Sequence, residues 1–215
     1  MSVIIMAGMV SVGKSTITEI LAKELNTTPF YEPVNDNPIL SEYYKDPKRY
    51  GFDLQIYFLN KRFRMIKDAL ADNNNILDRS IFEDYLFTEE NYESGNMIEA
   101  EFDIYKDLLD NMMSEINSKA KSRPDLLVFL DADFETILYR IKKRGRSYEQ
   151  IDNNPELENY YYRIWLKYRK WYDEYDISPK IKIDLGEHDV SKPEQKKYVI
   201  EQIKNKLKEI EIENN

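Results

Sequence analysis

Residues 8–16 read Gly8-Met9-Val10-Ser11-Val12-Gly13-Lys14-Ser15-Thr16, a G-x-x-x-x-G-K-S pattern. Glycines let the backbone close tightly, so that successive N–H groups aim inward at phosphate oxygens. Lys14 adds a point charge for the β- and γ-phosphates, and the Ser15 hydroxyl suits Mg²⁺. The setting matters as much as the motif. Residues 2–7 are apolar and predict a short buried strand. Residues 14–25 place Ile17, Ile20, Leu21 and Leu25 on one face of a helix, whose positive end meets the anion. Strand, glycine loop and helix form the setting of a P-loop. An unliganded glycine turn is the bland alternative.

The rest of the chain alternates strand and helix patterns, which predicts an α/β fold around a parallel sheet of about five strands flanked by helices. A second strand from Thr28 ends at Glu32, because Pro33 cannot extend a ladder. Helices are expected over 38–45 and from Pro47 to about 71. The longer one carries the stripe Phe52, Ile56, Leu59, Phe63, Ile66 and Leu70. Asn73-Asn74-Asn75 makes a turn before the short strand Ile76-Leu77. Helices at 81–91 and 98–119 break near Gly95. A strand over 125–130, a helix over 134–143, a mobile polar loop over 144–153 and an aromatic-rich helix over 155–175 follow. A strand at 181–184 and a helix at 194–210 close the chain. Nothing resembles a linker, so residues 1–215 are expected to form a single domain.

A formal charge of −9 argues against nucleic-acid and membrane-surface binding, so an anionic ligand needs a local basic cluster. Arg140, Arg144 and Arg146 supply one. They suit the charge that develops on phosphoryl transfer, or else form a solvated basic turn. The absence of cysteine excludes disulfides and fits a cytoplasmic setting. The first strand leaves no room for a signal peptide, and no apolar run is long enough to span a bilayer.

In a parallel α/β sheet, ligands sit beyond the carboxyl ends of the strands. Glu32, Asp78, Arg79 and the P-loop all fall there and are expected to converge. Glu32 is a candidate base for a substrate hydroxyl, or a solvated loop acid. Asp78 can hold Mg²⁺ directly or through water, while Arg79 can position Glu32 or neutralise transition-state charge. Asp78 or Ser80 can equally cap the next helix. Gln55 and Arg62 are seven residues apart and project from nearly the same side of the long helix. Such a pair can read a base edge, although the residues alone favour two surface polar groups. Asp84 can pair with Arg62. The aromatic helix reads as packing, and the lone His188 as a loop residue with no metal role.

Together these pieces resemble the deoxynucleoside kinase family, over nearly the whole chain. The specific part is an ordered set: Glu32-Pro33-Val34, Tyr44 eleven residues before Gln55, Asp78-Arg79-Ser80, and Arg144-Gly145-Arg146 with Glu149 close behind. The resemblance implies a P-loop kinase fold with an arginine-rich lid at about 143–153. It implies Glu32 as the base that activates the nucleoside 5′-hydroxyl, with Arg79 assisting and Lys14 on the phosphates. Tyr44 and Glu149 would hold the sugar 3′-hydroxyl, and Gln55 the base. Arg140, Arg144 and Arg146 would cover the donor phosphates of ATP, with Mg²⁺ near Ser15 and Asp78. In the family, an Arg at the position of Arg62 and an Asp at that of Asp84 mark kinases for purine deoxynucleosides and deoxycytidine. Thymidine-preferring members carry small or apolar groups there. Deoxyadenosine is therefore the first expectation, with deoxyguanosine and deoxycytidine behind. The resemblance also implies a homodimer and feedback inhibition by a deoxynucleoside triphosphate.

Three positions depart from the family pattern: Val12 is larger than usual, Asp78 replaces a more frequent Glu, and Tyr148 stands where an acid is common. Two rival readings are a thymidylate-like monophosphate kinase, with Arg49 or Arg62 holding the acceptor phosphate, and a non-catalytic nucleotide-binding regulator.

Overall fold

A computed structural model describes residues 2–32, 34, 37–72, 74–152 and 154–213. Pro33 and Asn73, which belong to the expected strand end and turn, lie outside the described residues, as does Asn153 of the expected lid. The strands are β1 (Val3–Gly8), β2 (Thr28–Phe30), β3 (Asn75–Asp78), β4 (Leu126–Asp131) and β5 (Lys180–Asp184). They form one parallel sheet in the order β2-β3-β1-β4-β5. The helices are α1 (Lys14–Leu25), α2 (Leu40–Lys45), α3 (Pro47–Asp72), α4 (Tyr85–Glu93), α5 (Glu99–Asn117), α6 (Phe134–Arg144), α7 (Pro155–Glu174) and α8 (Pro193–Glu213).

The central strands are unbroken apolar runs because helices cover both faces of the sheet. Every residue of β1 and β4 is buried. The edge strand β5 instead reads Lys-Ile-Lys-Ile-Asp, with Ile183 its buried residue, and its lysines discourage further pairing. Ile17 and Leu21 of α1 dock on the sheet together with Leu59 and Ile66 of α3.

Two differences from the sequence reading bear on the site. Strand β2 stops at Phe30, so Glu32 stands beyond the ladder, outside regular structure. The helix expected over 81–91 begins instead as a 3-10 turn, Ile81–Glu83, before α4. Ser80 is its N-cap, and a reciprocal capping box joins Ser80 and Glu83. The capping role considered for this stretch therefore belongs to Ser80, which frees the Asp78 side chain.

Close approaches fix the frame. Gly8 has φ 139°, and a Cβ there would meet the Leu130 carbonyl oxygen at 2.3 Å. Gly51 lets α3 run against the α4–α5 turn, where a Cβ would come within 2.8 Å of the Asn96 carbonyl oxygen. Among the described residues, no helix is long and apolar enough to cross a membrane.

Candidate active site

A cleft of about 540 Å³ opens beyond the carboxyl ends of β2, β3 and β1. Its floor is the phosphate loop. Val10, Ser11, Gly13, Lys14, Ser15 and Thr16 line it, while Met9 and Val12 turn inward into the core. Lys14 Nζ donates to the carbonyl oxygens of Gly8 at 2.9 Å and Met9 at 3.0 Å. Burial, reinforced by the Arg79 charge, pushes the Lys14 ammonium down to about 8. A polyphosphate would supply the missing negative charge.

Beside Lys14, the Ser15 hydroxyl donates to Asp78 Oδ2. Asp78 is 4 % exposed, and burial pushes its carboxyl up although Lys14 and Ser15 pull it down. This carboxylate is short of positive charge. Hydroxyl and carboxylate oxygens in contact form a donor set that suits Mg²⁺.

The centre of the cleft is a buried charge cluster. Arg62 of α3 reaches Glu32 with Nη2 and with Nε at 3.1 Å, and meets Asp84 with Nη1. Arg79 lies on the other side of Glu32, its Nε 3.2 Å from Oε2. Tyr105 of α5 donates its hydroxyl to Asp84 Oδ2 at 2.6 Å. Burial pushes the Glu32 carboxyl up, but Arg79 and Arg62 outweigh it and hold the pKa at about 2. Arg79 has φ 79°, a left-handed conformation that costs a non-glycine residue about 1–3 kcal/mol. Such strain persists only where the surroundings over-determine it.

Gln55 and Arg62 overturn the bland reading that the residues alone favour, and stand in the cleft as the family resemblance implies. They are not surface groups: they are 2 % and 3 % exposed and line the cleft. Gln55 Oε1 is buried without a hydrogen-bond partner. Leu54, Phe58 and Phe87 make apolar walls nearby, and the Arg62 guanidinium lies 4.7 Å from the Phe58 ring centroid.

The far wall comes from the segment after α6. Arg144 pairs with Glu149, and Arg146 Nη1 lies 3.2 Å from Glu149 Oε1. These pairs fold residues 147–149 into a short 3-10 turn where a mobile loop was expected. The Tyr148 ring packs 5.3 Å from that of Tyr44. Tyr44 lines the cleft and accepts a hydrogen bond from Tyr161 at 3.4 Å. Arg140 also borders the cleft, but its guanidinium donates to the carbonyl oxygens of Val12 at 2.7 Å and Leu185 at 2.6 Å. It braces the phosphate loop against the turn after β5, so the joint phosphate role expected of the three arginines divides.

Helix α7 is more than packing. Tyr160 lines the cleft, Tyr161 backs Tyr44, and Tyr168 backs Arg79. The seven-residue step from Tyr161 to Tyr168 was a readable signal that both share a face. Glu83, buried behind Arg79, was signalled by the Ser80-x-x-Glu83 capping pattern. His188 lies apart, its ring 4.9 Å from Tyr198.

The family model described as deoxynucleoside kinase matches residues 4–208. The chain belongs to the deoxynucleoside kinase family. It is 51 % identical over 211 residues to a deoxyguanosine kinase of Lactobacillus johnsonii, covering 98 % of this chain and 94 % of that one. It is 46 % identical over 209 residues to a deoxyadenosine kinase of Lactobacillus acidophilus, covering 97 % of both. The structure of a deoxyadenosine kinase from M. mycoides with bound dCTP superposes with a TM-score of 0.78 at 34 % identity, covering 96 % of this chain and 99 % of that one. The expected P-loop kinase fold and the ATP-dependent deoxynucleoside kinase activity stand on these matches, ahead of the monophosphate kinase and the non-catalytic regulator.

Proposed function

We propose that this kinase transfers the γ-phosphate of ATP to the 5′-hydroxyl of a purine deoxynucleoside, deoxyadenosine first. One observation favours a base with an exocyclic amino group over thymine. The Gln55 acceptor oxygen is buried, unpartnered and set in the cleft wall. It asks for an N–H donor, which the adenine exocyclic amino group supplies and thymine lacks there. A carboxamide pairing with both the amino group and a ring nitrogen of adenine is a familiar geometry. Arg62 lines the cleft and Asp84 stands buried behind it, so Asp84 acts through Arg62, which holds the wall's shape. Deoxyguanosine is the second reading. Similarity to the L. johnsonii deoxyguanosine kinase favours it, and a Gln55 amide turned over would offer N–H to a guanine oxygen. Deoxycytidine, which also has an amino group, comes third.

The transfer is in line. Glu32, ionised above about pH 2, accepts the 5′-hydroxyl proton as the oxygen attacks. Arg79 and Lys14 face the charge that builds on the phosphoryl group, and Arg144 and Arg146 close over the donor phosphates. Tyr44 and Glu149 hold the sugar 3′-hydroxyl. Mg²⁺, held by Ser15 and Asp78, would neutralise charge shared between the β- and γ-phosphates. The family resemblance supports a homodimer pairing α3 and a helix after residue 80, and a cytoplasmic setting. Structures of the M. mycoides relative with bound dCTP and dATP support feedback by a deoxynucleoside triphosphate.

The test is phosphate transfer from ATP with Mg²⁺ to the four deoxynucleosides, adenosine and dTMP. Deoxyadenosine is expected to give the highest kcat/KM. A deoxyguanosine preference selects the second reading, and a thymidine preference refutes the roles given to Gln55, Arg62 and Asp84.

A further inference from the structure

Arg79 is contested by two carboxylates. On the cleft side it meets Glu32. On the opposite side Glu83 Oε2 lies 3.8 Å from Arg79 Nη1. Between Arg79 and Glu83 stands the hydroxyl of Tyr168 on α7. It accepts a hydrogen bond from Arg79 Nη1 and donates to Glu83 Oε2 at 2.6 Å. Glu83 is anchored independently: Ser80 N donates to Oε1 at 3.2 Å, and Gly8 N approaches Oε2 at 3.5 Å. Glu83 and Tyr168 are 0 % and 1 % exposed, and neither lines the cleft. They touch no substrate, yet they connect the first residue of the phosphate loop to the arginine beside the base.

The chemistry of the three groups assigns a job to the phenol. A guanidinium in a low-dielectric interior is drawn to the nearest anion. With no group between them, Arg79 and Glu83 would close their 3.8 Å gap, and the guanidinium would withdraw from Glu32. A hydroxyl can accept from one neighbour while donating to the other, which a phenyl ring cannot. Burial pushes the Tyr168 phenol well above its ordinary range, so it stays neutral and keeps both bonds. We propose that Tyr168 is a positioning residue, a spacer that holds Arg79 off Glu83 and on Glu32, with Glu83 tying that arrangement to the phosphate loop at Gly8. This rests on the role given above to Arg79.

The experiment is steady-state kinetics and thermal melting of Tyr168→Phe, Arg79→Lys and the double variant Tyr168→Phe/Glu83→Gln. Displacing a reacting group by about 1 Å can cost about 100-fold. Tyr168→Phe is therefore expected to lower kcat by about 10- to 100-fold, with KM for ATP and nucleoside within about threefold. Removing the competing charge should restore the arginine, so the double variant should recover at least about fivefold of the lost kcat. A Tyr168→Phe enzyme with wild-type kcat contradicts the proposal, as does a double variant no faster than the single one. If Tyr168→Phe does not fold, the double variant, which has no surplus buried anion, is compared with Arg79→Lys. A kcat well above that of Arg79→Lys supports the spacer, and an equal one contradicts it. If Arg79→Lys itself keeps wild-type kcat, the role of Arg79 is what fails.

Discussion

Two carboxylates in this cleft are each flanked by a pair of arginines, and they are built differently. Glu32 takes its partners from afar: Arg62 from the long helix α3 and Arg79 from the end of β3. Both side chains are nearly buried, at 3 % and 4 % exposure. Glu149 takes Arg144 and Arg146 from its own segment, and these are 30 % and 29 % exposed. The chemistry is the same and the exposure of the arginines is not. A pair locked between sheet and helix fixes a reacting group. A pair made within one short segment, with its arginines about 30 % exposed, leaves them within reach of solvent, as the phosphate role proposed for them requires.

The largest expected effect is on the locked side. Arg62→Met removes the partner of both Glu32 and Asp84 in the interior. Breaking a buried pair typically costs about 3–5 kcal/mol, and urea denaturation should report a loss of that order. The same variant should move the acid limb of kcat/KM. The Glu32 carboxyl is depressed from 4.5 to about 2, so its ion pairs contribute stability fully above 4.5 and lose it as pH falls through 2. With one arginine gone, its pKa rises and both limbs shift to higher pH. An unchanged acid limb would show that Arg62 does not control the ionisation of Glu32.

On the releasable side the effects should be smaller and of another kind. Glu149→Gln frees Arg144 and Arg146, and with these partners about 30 % exposed the stability loss should be smaller than that of Arg62→Met. On the sugar role proposed for Glu149, nucleoside KM should rise, while ATP binding by equilibrium titration should hold or tighten. A loss comparable to that of Arg62→Met would erase the distinction between the clusters. Smallest of all is Glu19→Gln, which breaks a helix-surface pair with Lys23 that is open to solvent. Neither melting temperature nor kcat should change measurably.

The same contrast explains what could be read from the sequence. The phosphate loop, the strand ends carrying Glu32, Asp78 and Arg79, and the order of the helices are written in local patterns of apolar period, glycine and charge. The lid cluster is local too, since Arg144, Arg146 and Glu149 lie within one short stretch. The locked cluster is not. Gln55 and Arg62 share a helix side by spacing, but only the tertiary packing around α3 buries them. Tyr105 and Glu83 support the cleft from behind, through the buried Asp84 and through Arg79, from positions where a tyrosine on an amphipathic helix or an acid in a capping box has an ordinary explanation. Tyr168 was hidden by its own aromatic neighbours. Residues that act through burial and distant partners leave only indirect marks in a single sequence, such as the Tyr161–Tyr168 step and the Ser80-x-x-Glu83 pattern.

The most direct test of the account is single-turnover phosphate transfer by Glu32→Gln, with ATP affinity measured alongside. Glutamine keeps the shape between Arg62 and Arg79 and cannot accept a proton. The account predicts a rate lower by about 100- to 10,000-fold, the range for loss of a general base, with ATP affinity within about twofold. Transfer at the wild-type rate would contradict it, and would leave the two arginines holding a carboxylate that takes no part in the chemistry.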